Sequence, residues 1–255
     1  MSNHFAMSLA SGVFIGAAGG YLGSLMLSRR MALVAGPLGH LTLPGIALAI
    51  LYGYDVSLGA FPFVVLGIVL IWAFELRTKL PMEALTAIVF SSSVAAAFLF
   101  LPIEQAETAL VGDIGRAGPG DTAASIAASL FILVAAKASY AKLVLINISE
   151  DLAVSEGVHV RRTNLLYLFC IALIVALGVK VVGGLLTAAL VAIPPAVARN
   201  VARNMRQYAI GSLAVGAGSA AAGVGLFQLT GLPAGPLVIL VDAALFLASL
   251  AFARR

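Results

Sequence analysis

The chain is 255 residues long, 62% hydrophobic and only 10% charged, with a mean hydropathy of +1.09. A water-soluble domain is about one quarter charged, so this composition excludes one and points to an all-α polytopic membrane protein made as one transmembrane domain, residues 1–255. The net charge of +4 sits at the ends of apolar runs, which makes it an orientation signal and not a nucleic-acid footprint.

A crossing needs roughly 20 apolar residues, and candidate spans fall at 5–27, 31–52, 58–74, 84–101, 123–146, 164–182, 184–198, 208–229 and 234–252. The first lacks a basic leader region and is followed by further spans, so it is expected to be a retained helix rather than a secretion signal. The weakest division is VKVVGGLL (179–186), and the segment after it ends near Pro194 and Pro195. The expectation is therefore a bundle of eight to nine transmembrane helices, some of them broken.

Cytoplasmic span ends are enriched in Lys and Arg. With the N-terminus outside, Arg29, Arg30, Arg77, Lys79, Lys137, Lys142, Arg161, Arg162, Arg199, Arg203, Arg206, Arg254 and Arg255 lie at the cytoplasmic face, leaving Arg116 and Lys180 outside: 13 and 2 of the 15. A C-terminus inside then requires an odd number of crossings, which favours nine. Gly12, Gly16 and Gly20, with a second glycine-rich set from Gly211 to Gly225, predict close helix contacts.

The second span is interrupted. LVAGPLGHLTLPGIALAI (33–50) holds Pro37, Gly39, Pro44 and Gly45 around His40, and opened backbone is tolerated at membrane depth only against protein or a watered path. A neutral imidazole there suits a borderline divalent ion such as zinc, manganese or iron. Because metal needs the unprotonated ring, passage should fall as pH drops through the ordinary imidazole range near ~6.5. Asp242 is the other ionisable residue inside a span, with Glu75 and Glu83 near cytoplasmic ends; such groups line pathways or pair with one another. The lone Cys170 lies in a span and reads as a small buried hydrophobe, and His4 and His159 as solvated.

Two loops stand out. The external one (101–123) carries Glu104, Glu107, Asp113 and Asp121 against Arg116, an arrangement that draws cations. In the internal one (146–162), Ser149 is an N-cap, Glu150 and Asp151 suit a helix start, and Gly157 suits a C′ stop, which predicts a helix of about two turns over 149–157. Alone it would be unstable, so a docked soluble protein is expected. There is no G-x-x-x-x-G-K-[ST] loop and no H-E-x-x-H, so an enzyme is not expected and the chain should not bind and hydrolyse ATP by itself.

Several stretches resemble the ABC-3 metal-ion permeases. GHLTLPGIALAILYG (39–53) is similar to that family's Ser-His-Ala-x-Leu-Pro-Gly segment, and LVGDI (110–114) to its Phe-Gly-Asp-Ile step. SEDLAVSEGV (149–158) is similar to its cytoplasmic coupling segment, GGLLTAALVAIPPAVAR (183–199) to its Gly-x-Leu-Leu…Ile-Pro-Ala-x-x-Ala-Arg run, and LPAGPLVILV (232–241) to the start of its last helix. The chain departs from the pattern at Ala35 and Gly36, where the family carries Gly-Asp, and at Met82, where it carries Glu beside Asp.

The resemblance implies the membrane subunit of an ATP-binding-cassette importer for divalent zinc, manganese or iron, multi-pass in a prokaryotic inner membrane. It implies a homodimer embedded in lipid, cytoplasmic ATPase subunits docked through Ser149, Glu150, Asp151, Glu156 and Gly157, and an extracytoplasmic solute-binding protein. The metal is cargo, with no permanently bound cofactor, and His40, Asp113 and Asp242 are its expected contacts. The alternative from another class is a secondary divalent-metal carrier acting without an ATPase.

Overall fold

The computed structural model describes residues 2–29, 39–54, 56–78, 80, 82–100 and 118–252. Among these, every element is helical: α1 (Ser2–Ser28), α2 (Leu43–Tyr52), α3 (Val56–Arg77), α4 (Met82–Phe100), α5 (Pro119–Ile148), α6 (Glu150–Ser155), α7 (Val160–Val201), α8 (Met205–Thr230), α9 (Ala234–Ser249) and a closing 3₁₀ turn (Leu250–Phe252). Five stretches are long and apolar enough to cross a membrane: His4–Ser28, Pro119–Ile148, Val160–Val179, Met205–Thr230 and Ala234–Phe252. Leu58–Phe74, Ala84–Leu99 and Thr187–Val201 are apolar but shorter.

The division expected at 179–186 is a fold-back inside α7. Gly183 has φ 80° and ψ 166°, a backbone region that in practice only glycine occupies. Ile174 and Leu190 both come within 3.8 Å of where a Gly19 Cβ would stand, although sixteen residues of straight helix (190 − 174) would separate them by about 24 Å. The same reversal brings Thr187 against Gly178. Thus α7 is a hairpin whose return arm starts at Gly183, where the Thr187 hydroxyl donates to the Gly183 carbonyl at 2.7 Å. The return arm does not stop at Pro194 and Pro195; both lie inside the helix, which continues to Val201. A proline removes one intrahelical bond but cannot end a helix held on other helices.

Helix α1 is the hub, packed on α5, α7 and α8, while α7, α8 and α9 pack on one another. The glycine pattern does what its spacing predicts. A methyl on Gly16 would overlap the Gly216 carbonyl and one on Gly216 would overlap the Gly16 carbonyl, and Gly20 stands in the same way against Ser212. Backbones this close gain van der Waals contact that lipid cannot replace. Below them Leu22, Leu25, Met26, Ile171 and Ile174 are buried in one core. Helices α2, α3 and α4 form a second group, joined to the first where α3 meets α7.

The ends of α1, α5 and α7 share one level. Arg29 Nη1 donates to Asn164 Oδ1 at 3.2 Å, its guanidinium lies 5.1 Å from the centre of the Tyr167 ring, and Asn147 Nδ2 donates to the Ser28 carbonyl at 3.1 Å. On the return side Asn200 Nδ2 donates to Ser249 Oγ at 2.8 Å. Arg161, Arg162, Arg199, Arg203 and Arg206 cluster by sequence at these same ends, the ends expected at the cytoplasmic face from the distribution of positive charge.

Candidate functional site

His40 lies just before α2. Gly39 and His40 carry helical backbone, Leu41 and Thr42 turn, and α2 starts at Leu43 with Pro44 in its first turn, where a missing N–H is harmless. The Thr42 hydroxyl donates to the Gly39 carbonyl at 2.5 Å, and the Thr42 carbonyl accepts from Ile46 N at 2.9 Å. The interruption is thus reclosed by a buried threonine. With ten residues, α2 spans only about 15 Å, half of the hydrocarbon thickness of about 30 Å. It is pressed onto α3 through Gly45 and Gly59, each of whose missing methyl would strike the other's carbonyl. Leu41 fills the space beside Gly67.

The imidazole itself is half-buried, and its ring centre is 5.2 Å from that of Phe90 on α4, tilted by 55°. The ring therefore has an aromatic neighbour on α4. Asp242 lies elsewhere, on α9, which packs on α7 and α8, whereas α2 packs on α3 and α4. Asp242 is 0% exposed, and among the described residues no group of three His, Cys, Asp or Glu side chains gathers as a metal site. Of the expected His40, Asp113 and Asp242, Asp113, with Glu104 and Glu107, lies outside the described residues, and Asp242 lies in a different helix group from His40. The Glu75 and Glu83 side chains also fall outside the description. Asp121 turns out to serve locally, accepting from Gly118 N at 3.1 Å at the start of α5. Cys170 is buried in the core, while His4 and His159 are exposed.

The cytoplasmic segment is built as its sequence predicts. Ser149 Oγ accepts from Leu152 N at 3.2 Å, Glu150 and Asp151 occupy the first turn of α6, and Glu156 is the C-cap. Gly157 has φ 77°. Its N–H donates to the Val154 carbonyl at 3.0 Å while Val158 N donates to the Ala153 carbonyl at 2.9 Å, the paired bonds of a Schellman stop. Ala153 is 0% exposed and anchors the helix inward, while Leu152 and Val154 are 46% and 59% exposed. Two aliphatic side chains flanked by three carboxylates thus face outward from the cytoplasmic end.

Sequence reasoning missed the residues that hold this segment in place. Asn147 stands before it and Asn164 after it, and these two asparagines, through Ser28 and Arg29, tie both ends to the foot of α1. Tyr167 supplies the ring under Arg29. The available signal was a pair of amides, one on either side of a short capped helix.

The description of the ABC 3 transport family matches residues 1–253. The chain belongs to that family. This ABC 3 chain is 26% identical over 251 residues to the manganese import system permease protein ScaB of Streptococcus gordonii, covering 96% of this chain and 90% of ScaB. It is 27% identical over 247 residues to the high-affinity zinc uptake system membrane protein ZnuB of Buchnera aphidicola subsp. Acyrthosiphon pisum, covering 94% of each. In three dimensions it is similar to PsaBC from Streptococcus pneumoniae in complex with Fab, with a TM-score of 0.82 at 24% identity over 95% of this chain and 89% of that one. The all-α polytopic fold and the role of transport permease follow for this ABC 3 chain, an integral membrane protein whose named relatives import manganese and zinc.

Proposed function

We propose that this chain is the membrane-spanning subunit of an ATP-driven importer for a divalent metal ion (zinc, manganese or iron) in a prokaryotic plasma membrane. Two copies form the permease, a cytoplasmic ATPase subunit docks on each 149–157 segment, and an extracytoplasmic binding protein delivers the ion. The observation that carries this reading is the rigid outward-facing helix α6, with exposed Leu152 and Val154 beside Glu150, Asp151 and Glu156. A helix of six residues is not stable by itself, and fixing it between two tied span ends supplies a lever for another protein.

His40 is the metal contact in this reading. A single imidazole with carbonyl and water ligands holds an ion long enough to replace lost hydration and lets it leave again, unlike a closed cage of three or four protein ligands. Asp113 is placed with the external approach, where carboxylates raise the local cation concentration.

The test is co-expression with the cognate ATPase and binding protein, followed by metal uptake in proteoliposomes. His40→Ala should abolish most uptake of manganese or zinc while the complex still elutes as one species. Changing Glu156 and Gly157 together should release the ATPase and leave membrane insertion intact. Uptake that persists without ATPase or ATP would replace this reading with that of an independent carrier.

A further inference from the structure

The 149–157 segment has little slack at either end. Ser149 is at once the C-cap of α5, its N–H donating to the Leu145 carbonyl at 3.0 Å, and the N-cap of α6. On the far side only residues 156–159 separate α6 from α7. They are closed by Val158 N on the Ala153 carbonyl at 2.9 Å and by Thr163 N on the His159 carbonyl at 3.0 Å. A load on α6 therefore reaches the end of α5 and the start of α7 with little lost in bending.

Both of those ends are fastened to a third helix. Asn147, next to the last residue of α5, donates to the Ser28 carbonyl at 3.1 Å. Ser28 ends α1, and its carbonyl is one of those that a helix end leaves without an intrahelical donor. Arg29, the next residue, donates from Nη1 to Asn164 Oδ1 at 3.2 Å and lies 5.1 Å from the Tyr167 ring centre. Asn164 and Tyr167 are three residues apart on α7 and so share a face. The Tyr167 hydroxyl is buried with no hydrogen-bond partner among the described residues, so what Tyr167 offers the guanidinium is its ring, within the ~6 Å reach of a cation–π contact. A cation here also suits the negative end of α1.

The neighbours of α1 make this fastening consequential. Gly16 and Gly20 lie against the backbone of Gly216 and Ser212 on α8, and Gly23 lies against the Val191 carbonyl on the return arm of α7. A glycine at each contact leaves no side chain to flex, so a shift of α1 is passed to α8 and the return arm. The covalent chain by itself carries a displacement of α6 only into α5 and the first arm of α7, and reaches the return arm through the reversal at Gly183, at the opposite end of the hairpin.

We infer that Arg29 is a positioning residue of the transport cycle: its contacts with Asn164 and Tyr167, beside the bond from Asn147 to Ser28, pass movement of the 149–157 segment into α1, and through α1 into α8 and the return arm. The inference rests on the reading that the ATPase docks on that segment, and adds the route by which docking reaches helices that do not adjoin it.

The test uses the permease with its ATPase and binding protein in proteoliposomes, read as manganese or zinc taken up per ATP hydrolysed. Arg29→Met keeps the aliphatic stem and removes the guanidinium. Because α6 is capped by its own residues, the ATPase should stay bound and hydrolysis should continue, while the ratio falls about tenfold, the scale of a hydrogen bond to a charged group. Arg29→Lys keeps the charge beside the ring and should restore most of the ratio, and Tyr167→Phe, which keeps the ring, should leave it unchanged. Asn164→Ala added to Arg29→Met should lower it no further, since both remove the same bond. Should Arg29→Met fail to assemble, Asn164→Ala alone carries the test, with an expected fall of about fivefold. An assembled variant with the wild-type ratio, losses from Arg29→Met and Asn164→Ala that multiply, or an Arg29→Lys as poor as Arg29→Met would overturn the role of Arg29 and leave ATPase docking standing. So would release of the ATPase by Arg29→Met, which would put the residue in the docking surface. Wild-type uptake that needs no ATP fails the docking reading itself and takes this inference with it.

Discussion

Residues 149–157 and residues 42–53 are short helical segments, each with a hydroxyl residue, Ser149 or Thr42, at its N-cap and a left-handed glycine, Gly157 or Gly53, at its end. They are held by different means. The cytoplasmic segment satisfies its own ends: Ser149 caps the start, and Gly157 and Val158 cap the finish. The membrane segment also leans on neighbours, with Gly45 against Gly59, Leu41 beside Gly67 and the His40 ring on Phe90. The difference follows from solvent. Backbone in water can rely on local caps and leave one face free for a partner, whereas backbone at membrane depth must be covered by protein wherever its helix is interrupted.

Four substitutions probe that contrast. The largest effect is expected for Gly45→Ala, because the added methyl would strike the Gly59 carbonyl, and overpacking against backbone costs about 3 kcal/mol. Size-exclusion chromatography of detergent extracts should show most of the protein aggregated; a monodisperse variant with unchanged melting would mean that α2 and α3 can part without penalty. Gly157→Ala comes next. Nothing lies within 4 Å of a Cβ there, so only the left-handed backbone is strained, by about 1–2 kcal/mol. The membrane body should melt as before while ATPase retained on an affinity column falls roughly tenfold; equal loss of both would show that the segment is not autonomous.

Ser149→Ala removes one N-cap acceptor, worth about 1 kcal/mol, and should weaken ATPase retention about fivefold in the same assay. The smallest effect is expected for Phe90→Leu, which keeps bulk but removes the ring beside His40, a contact worth about 0.5–1 kcal/mol. Uptake kinetics should show a change in half-saturation of about threefold at an unaltered maximal rate. A collapse of the maximal rate would make Phe90 part of the ion's route.

What was legible in the sequence divides along the same line. The 149–157 helix, its cap and its stop were readable to the residue, because Ser, Glu, Asp and Gly act there through bonds to their immediate neighbours. Apart from 31–52, whose first part lies outside the described residues, the apolar runs gave the helices within a few residues at each end, and Gly16 and Gly20 announced the α1 to α8 contact by spacing alone. The break at Gly183 was visible as VKVVGGLL, but the continuation of α7 past Pro194 and Pro195 was not, since what carries the helix through them is packing by α1, α8 and α9. The grouping of site residues was hidden for the same reason. His40 and Asp242 share a property in one dimension, charge at membrane depth, and only the packing of α2 with α4 and of α9 with α8 separates them.

The hairpin form of α7 also constrains how the protein is made. Its return arm, Gly183 to Val201, holds two prolines, and each withholds an N–H from a carbonyl one turn back. At membrane depth carbonyls opened in this way need cover by protein, so the return arm is complete only once the arm before it, through Gly178 and Thr187, and α1, through Gly23 and the Val191 carbonyl, have closed on it.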